Sequence, residues 1–211
     1  MAIIKLDHLS YSCSYDDEQE VIDSFCCSGH YKIQFSETIE NPELKKRIMQ
    51  KMSDFHRLTM LQYTERKNCS INVPIEITSY PNVKGISSYD FSNEIIFFRT
   101  NNIFRSMSFF QKVGFQKESE NLLSLHTLLD SKPYYLRLIE DAANRPFGLD
   151  VNGFTSIAWI VSKIDSHRKE MEQNGIEMTE IDMVKINNRT LKICFAIGEC
   201  GELVELIGVD K

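Results

Sequence analysis

Apolar and polar positions along the chain follow two rhythms, and the switch from one to the other recurs three times. Ile3 to Cys13 is rich in β-formers and alternates around Leu9 and Tyr11, which predicts a strand. Asp16 and Asp17 then place acidic charge where the positive end of a helix dipole belongs. Val21, Ile22 and Phe25 form that helix's apolar stripe, and Gly29 stands at its stop. A strand over Tyr31–Phe35 follows. Pro42 opens an inserted helix, with Leu44, Ile48 and Met52 at helical spacing. Strands at Leu58–Thr64 and Val73–Tyr80 close the first round.

Residues 81–92 carry Pro81, Gly85 and a run of serines and asparagines with little apolar periodicity, and 82–91 is the expected linker. The same grammar then restarts. Glu94–Arg99 is a strand, Asn101 or Asn102 caps a helix with Ile103, Met107, Phe110 and Val113 inward, and Gly114 ends it. Strands follow at Phe115–Glu118, Leu122–Leu128 and Tyr134–Ile139. A third round runs from Thr155–Ser162 through a helix at Lys163–Asn174 to strands at Glu177–Val184, Thr190–Ile197 and Glu202–Gly208. Repeats of about 80, 50 and 55 residues indicate one supersecondary unit copied three times. The fold class is therefore α+β, built from three βαβββ modules.

Composition narrows the function classes. A net charge of −6 over 211 residues, with no clustered basic patch, argues against nucleic acid or an anionic membrane as partner. No apolar run approaches the roughly 20 residues that cross a bilayer. The first residues lack the pattern of a signal peptide. Six cysteines show neither a C-x-x-C pair nor zinc-like spacing, so reduced thiols in a cytoplasmic protein are expected. Neither a phosphate-cradling Gly-rich loop nor H-E-x-x-H is present.

The stretch from Asn102 to Phe115, with Ser106, the aromatic pair Phe109-Phe110 and Gly114-Phe115, resembles the first helix of a glyoxalase/bleomycin-resistance/dioxygenase module. Thr155–Ser162 and Gly201–Gly208 resemble the opening and closing strands of a second module. Leu6-Asp7-His8-Leu9 and Pro74-Ile75-Glu76-Ile77 bound a further one. The chain thus resembles the vicinal oxygen chelate superfamily over nearly its whole length. In that superfamily paired modules curl into a cup, and first and last strands hold a divalent metal. The resemblance implies that 92–211 is a two-module cup and 1–81 an extra module.

Carried over by position, the implied metal ligands are His8 and Glu76 in the first module, Ile95 and Arg137 in the second, and Ser156 and Glu205 in the third. The 92–211 unit then keeps one good ligand of four. Arg137 and Glu205 would face each other as an ion pair or a clamp for a polar ligand. Three arrangements follow for the first module. It pairs with its own copy in a homodimer, which joins His8 and Glu76 to their mates. Alternatively it pairs with the third module, joining them to Glu205 and Ser156, or it is a brace without metal. The first is favoured, because all four of its ligands are chemically sound.

Two functions compete, beside a structural or regulatory role that has lost chemistry altogether. One is an enzyme, a lyase, isomerase or epimerase dependent on a divalent metal (Ni, Mn, Zn or Fe) and acting on a small oxygenated metabolite. In it His8 and Glu76 hold the ion, Glu205 is the general base, and Arg137, Ser156, Trp159 and Tyr11 meet the substrate. The other is a metal-free protein that binds a drug-like small molecule, with Phe97, Phe109, Phe110 and Trp159 lining the cavity. On residue type alone His8 also fits a structural, hydrogen-bonded histidine, and Glu76 an exposed glutamate on a half-buried strand.

Overall fold

The structure, a computed structural model, describes residues 3–27, 29–64, 73–81, 83, 95–141 and 148–209. The first module comprises β1 (Ile3–Ser14), α1 (Glu18–Cys26), β2 (Tyr31–Glu40), α2 (Glu43–Lys46), β3 (Phe55–Tyr63) and β4 (Ile75–Tyr80). The second comprises β5 (Ile95–Thr100), α3 (Ile103–Lys112), β6 (Gln116–Lys117), β7 (Leu122–Leu125) and β8 (Tyr134–Glu140). The third comprises β9 (Gly153–Ser162), α4 (Ile164–Gln173), β10 (Glu177–Met178), β11 (Asp182–Ile186), β12 (Arg189–Ile197) and β13 (Leu203–Val209). Three βαβββ modules are thus present, as the periodicity predicts, with one strand of the third broken into β10 and β11, both paired with β12. The expected linker lies outside the described residues, apart from the buried Val83.

The pairing of the modules differs from expectation. One nine-stranded sheet runs β10-β12-β13-β9-β1-β4-β3-β2, with β11 beside β12, so the first and third modules make the cup. The second module keeps a separate four-stranded sheet, β5-β8-β7-β6. The two-module cup expected over 92–211 is therefore corrected, and so is the pairing of the first module across a dimer. The reason is an edge: the side of β1 away from β4 is occupied by β9, antiparallel from Ile3 to Ser12.

Each face of the large sheet has its own apolar cluster. On the helix side Leu9, Tyr11, Cys13, Ile75, Ile157, Trp159 and Leu206 pack with Val21, Phe25, Ile164 and Met171 of α1 and α4. The second module joins this cluster, with Phe115 against Trp159 at 5.8 Å between ring centroids. Leu128 and Leu129 amides also bond the carbonyls of Ile3 and Ile4. Buried Glu202 at the β12–β13 turn accepts from the Ser106 hydroxyl of α3 and from the Cys200 amide. A Cβ on Gly198 would overlap that carboxylate, so the turn needs glycine there.

On the inner face a plug fills the cup. Ile48 and Met49 pack with Leu149, Tyr80, Ala158, Phe195 and Leu203. Sequence spacing extends the inserted helix through Met52; instead α2 stops at Lys46, and Met52 is exposed with φ 42°. The irregular segment after α2 is tied down from across the chain. The Asp150 carboxylate accepts from the Gln50 and Lys51 amides at 2.6 and 2.7 Å, and the Leu149 amide bonds the Ile48 carbonyl. The Ser12 hydroxyl in turn donates to the Leu149 carbonyl.

Candidate active site at the floor of the cup

Alternation decides which β1 side chains reach the cup, and one irregularity sets its phase. Between the pairs Leu6↔Trp159 and His8↔Ala158, β1 carries Asp7 with no counterpart on β9. Such a bulge reverses the facing of everything beyond it. Leu6 therefore joins the helix-side cluster, whereas His8, Ser10 and Ser12 turn into the cup.

The pairing registers relate the two halves by an approximate two-fold. His8 opposes Ala158 and Ser10 opposes Ser156, while Glu76 lies beside Ser10 and Glu205 beside Ala158. Rotation about the β1–β9 seam thus exchanges His8 with Ser156 and Glu76 with Glu205. These are the four positions implied for the second of the three arrangements, and one chain supplies all of them.

The three ionisable groups converge. Nε2 of His8 lies 3.6 Å from Oε2 of Glu76 and 3.6 Å from Oε2 of Glu205, long for a hydrogen bond and well within ionic attraction. All three are buried, at 4%, 8% and 9% exposure. Ser10 donates to Glu76 Oε1 at 3.1 Å and pins that carboxylate; the one partner of Glu205 among the described residues is His8. Nδ1 of His8 meets Asp7 Oδ2 at 3.2 Å, which turns Nε2 toward the two glutamates. Burial pushes the His8 pKa down, but Glu76, Asp7 and Glu205 outweigh it and hold the value well above 6.5. Burial likewise pushes Asp7 up, and His8 and Lys5 together bring it down to about 2.

Of the seven residues that the sequence singled out, His8, Glu76, Ser156 and Glu205 share this floor. The Ser156 hydroxyl is buried there without a hydrogen-bond partner. Tyr11 and Trp159 do not share it. They face the helix side, where Tyr11 packs edge-on against Phe25 and Phe154. Arg137 is exposed on β8 in the separate sheet, paired in register with Phe97 and Leu122, so it forms neither an ion pair nor a clamp with Glu205. Phe109 and Phe110 are core residues and line no cavity at the floor. Sequence reasoning missed Asp7, Ser10 and Tyr80. Asp7 is adjacent to His8 in the chain, but only the bulge shows that it steers the imidazole.

A cleft of about 560 Å³ lies between Arg47, Ile48, Arg168 and Met178–Glu180, and none of the floor residues lines it. Ile48 of the plug forms part of its wall. Among the described residues, no group of three or more His, Cys, Asp or Glu is drawn in to ion-holding spacing. No described helix is long and apolar enough to cross a membrane.

Antiparallel first strands join two βαβββ modules, and their first and last strands converge on one floor, the arrangement expected from the resemblance to the vicinal oxygen chelate superfamily. Among solved structures, the chain is similar to a methylmalonyl-CoA epimerase, with 15% identity over 100% of this chain and 99% of that one, at TM-score 0.47. It is also similar to the methylmalonyl-CoA epimerase of Mycobacterium tuberculosis (11% identity, 100% and 92% covered, TM-score 0.47). A glyoxalase I variant from Zea mays matches at 13% identity, with 96% and 67% covered and TM-score 0.39. No family model matches the chain, and no curated protein does. Likeness at this level carries no reaction with it, and the chemistry has to be read from the cup's own side chains.

Proposed function

We propose that the chain is a divalent-metal-dependent enzyme that moves a proton on a small oxygenated metabolite, as an isomerase, epimerase or lyase does. One observation carries the reading: the buried, unbonded Nε2 of His8 points between two carboxylates supplied by different modules. An imidazole and carboxylates suit a hard or borderline divalent ion. His8 and Glu76 would hold it, with the unpartnered Ser156 hydroxyl on the opposite half of the floor. Asp7 orients the imidazole through Nδ1, the outer partner that a metal-binding histidine ordinarily has. When bound, such an ion stabilises negative charge that develops on a substrate oxygen.

The two carboxylates divide the remaining work. Ser10 fixes Glu76, as befits a ligand, whereas Glu205 is unpinned and serves as the group that takes and returns the proton. Burial keeps bulk water from competing for that proton. Plug residues Ile48, Met49 and Leu149 must move for a metabolite to enter.

Elemental analysis of purified protein, after exposure to Ni²⁺, Mn²⁺, Zn²⁺ or Fe²⁺, tests the first part. About one equivalent is expected, lost in His8→Gln and Glu76→Gln and retained in Glu205→Gln. Deuterium wash-in from D₂O into α-protons of a panel of small carbonyl acids tests the second, and Glu205→Gln should abolish it. Wild-type protein that takes up no ion sinks the metal reading. A metal-free binding protein would then remain, and one feature favours it: protonated His8 itself supplies a cation between the two carboxylates.

A further inference from the structure

The cup holds a second buried polar group that the floor does not use. Tyr80 ends β4 on the same face as Glu76 and Thr78, is almost wholly buried, and packs in the cluster with Leu149 and Ala158. Its hydroxyl has no hydrogen-bond partner. The nearby polar groups are engaged elsewhere. Thr78, whose hydroxyl lies near enough to bear on the phenol oxygen, is hydrogen-bonded to Ser12, Glu76 accepts from Ser10, and Asp150 is committed to the amides of Gln50 and Lys51. The ring is also positioned. His56 stacks on it at 5.4 Å and 25°, the His56 Nδ1 bonds Asn41 Oδ1 at 2.8 Å, and the Asn41 amide donates to the Ser53 carbonyl. Buried polar atoms are seldom left unpaired, and those that are tend to wait for a ligand.

We infer that the Tyr80 hydroxyl is the protein's donor to the bound metabolite, and that it selects for an acceptor oxygen, a carbonyl or carboxylate, on the first-module side of the cup. This rests on the metal-dependent reading above. Burial, then the charges of Glu76, Asp150 and Glu205, outweigh the opposing effect of Thr78 and hold the phenol well above its ordinary pKa, so it faces the ligand as a donor. The three carboxylates cannot serve the same oxygen, since each is an acceptor when ionised.

Oxalate, which offers two adjacent acceptor oxygens and no donor, is the probe. Its binding to metal-loaded wild type and Tyr80→Phe is measured by calorimetry, beside metal uptake by each. Tyr80→Phe should take up metal within two-fold of wild type and bind oxalate at least ten-fold more weakly. In wild type carrying ¹³Cζ-tyrosine, oxalate should shift the Tyr80 signal, a response that a packing role would not give. Equal oxalate affinity in the two proteins, or an unmoved Tyr80 signal, overturns the inference and leaves the metal reading intact. Failure of wild type to take up metal overturns both.

Discussion

Removing the carboxylate of Asp150 should open the cup without dismantling it. Asp150 is buried and accepts from two consecutive amides, Gln50 and Lys51, a hundred residues earlier in the chain. Those amides follow Ile48 and Met49, the plug's two inward side chains. A hydrogen bond to a charged acceptor contributes about 1.5–3 kcal/mol. Gln50 and Lys51 are exposed, so water can replace part of what is lost. Asp150→Ala should therefore lose about 2–4 kcal/mol, and Asp150→Asn, which keeps one acceptor oxygen, about half as much. Urea unfolding gives the global figure. Amide exchange gives the local one, and it should rise at residues 48–51 well before β1, β4, β9 and β13. Two outcomes refute the reasoning: an Asp150→Ala midpoint equivalent to less than about 1 kcal/mol, or unchanged protection of the plug amides. Gly148 belongs to the same device. A Cβ there would lie 2.9 Å from Asp150 Oδ1 at a φ of 145°, so Gly148→Ala should resemble Asp150→Asn.

Three further outcomes are expected. His8→Gln leaves Glu76 and Glu205 buried without their cation, and should cost about 3–5 kcal/mol in chelator-treated protein by urea unfolding. Adding Glu205→Gln to it should recover part of that loss. His56 is buried neutral, because desolvation and then Lys45 hold its pKa well below 6.5. The unfolded chain alone takes that proton, so stability is complete above pH 6.5 and falls below it by up to about 1.4 kcal/mol per unit. The difference between wild type and His56→Gln, followed by urea midpoints from pH 7.5 to 5, should show that slope. Arg137→Ala, on an exposed strand outside the cup, should change stability by no more than about 0.5 kcal/mol and leave metal uptake as it was.

Module order was legible in the chain because it depends on local signals. The stripe Val21-Ile22-Phe25, the Asn102 cap that accepts from the Arg105 amide, and glycines at 29, 114 and 175 with positive φ each mark an element by its own neighbours. Module partnership was not legible in that way. Any βαβββ unit offers an edge on its first strand, and alternation along β1 says nothing of whether β9 or a second copy lies beside it. Face assignment was legible from alternation and was missed: Tyr11 stands three positions from His8 and Trp159 three from Ser156, so odd and even positions alone put each on the opposite face. For partnership the one usable signal was chemical. Among the implied ligand positions, the second module alone had lost both.

That loss also explains how three modules divide two tasks. A residue at the floor must tolerate burial between carboxylates, where an isoleucine forfeits any interaction with an ion. A second-module strand in the cup would place Ile95 and Arg137 at positions that are His8 and Glu76 in the first, and no donor set would remain. The second module instead presents Arg137 to solvent and spends its apolar residues on the outer side of the sheet. Phe115 there covers Trp159, and Ser106 clasps Glu202 next to β13, the strand that carries Glu205. Trp159, in turn, neighbours Ala158, which opposes His8 on one side and Glu205 on the other. The second module therefore packs behind β9 and β13, the strands that carry Ser156 and Glu205. Its removal should disturb the floor's geometry even though none of its described side chains reaches it.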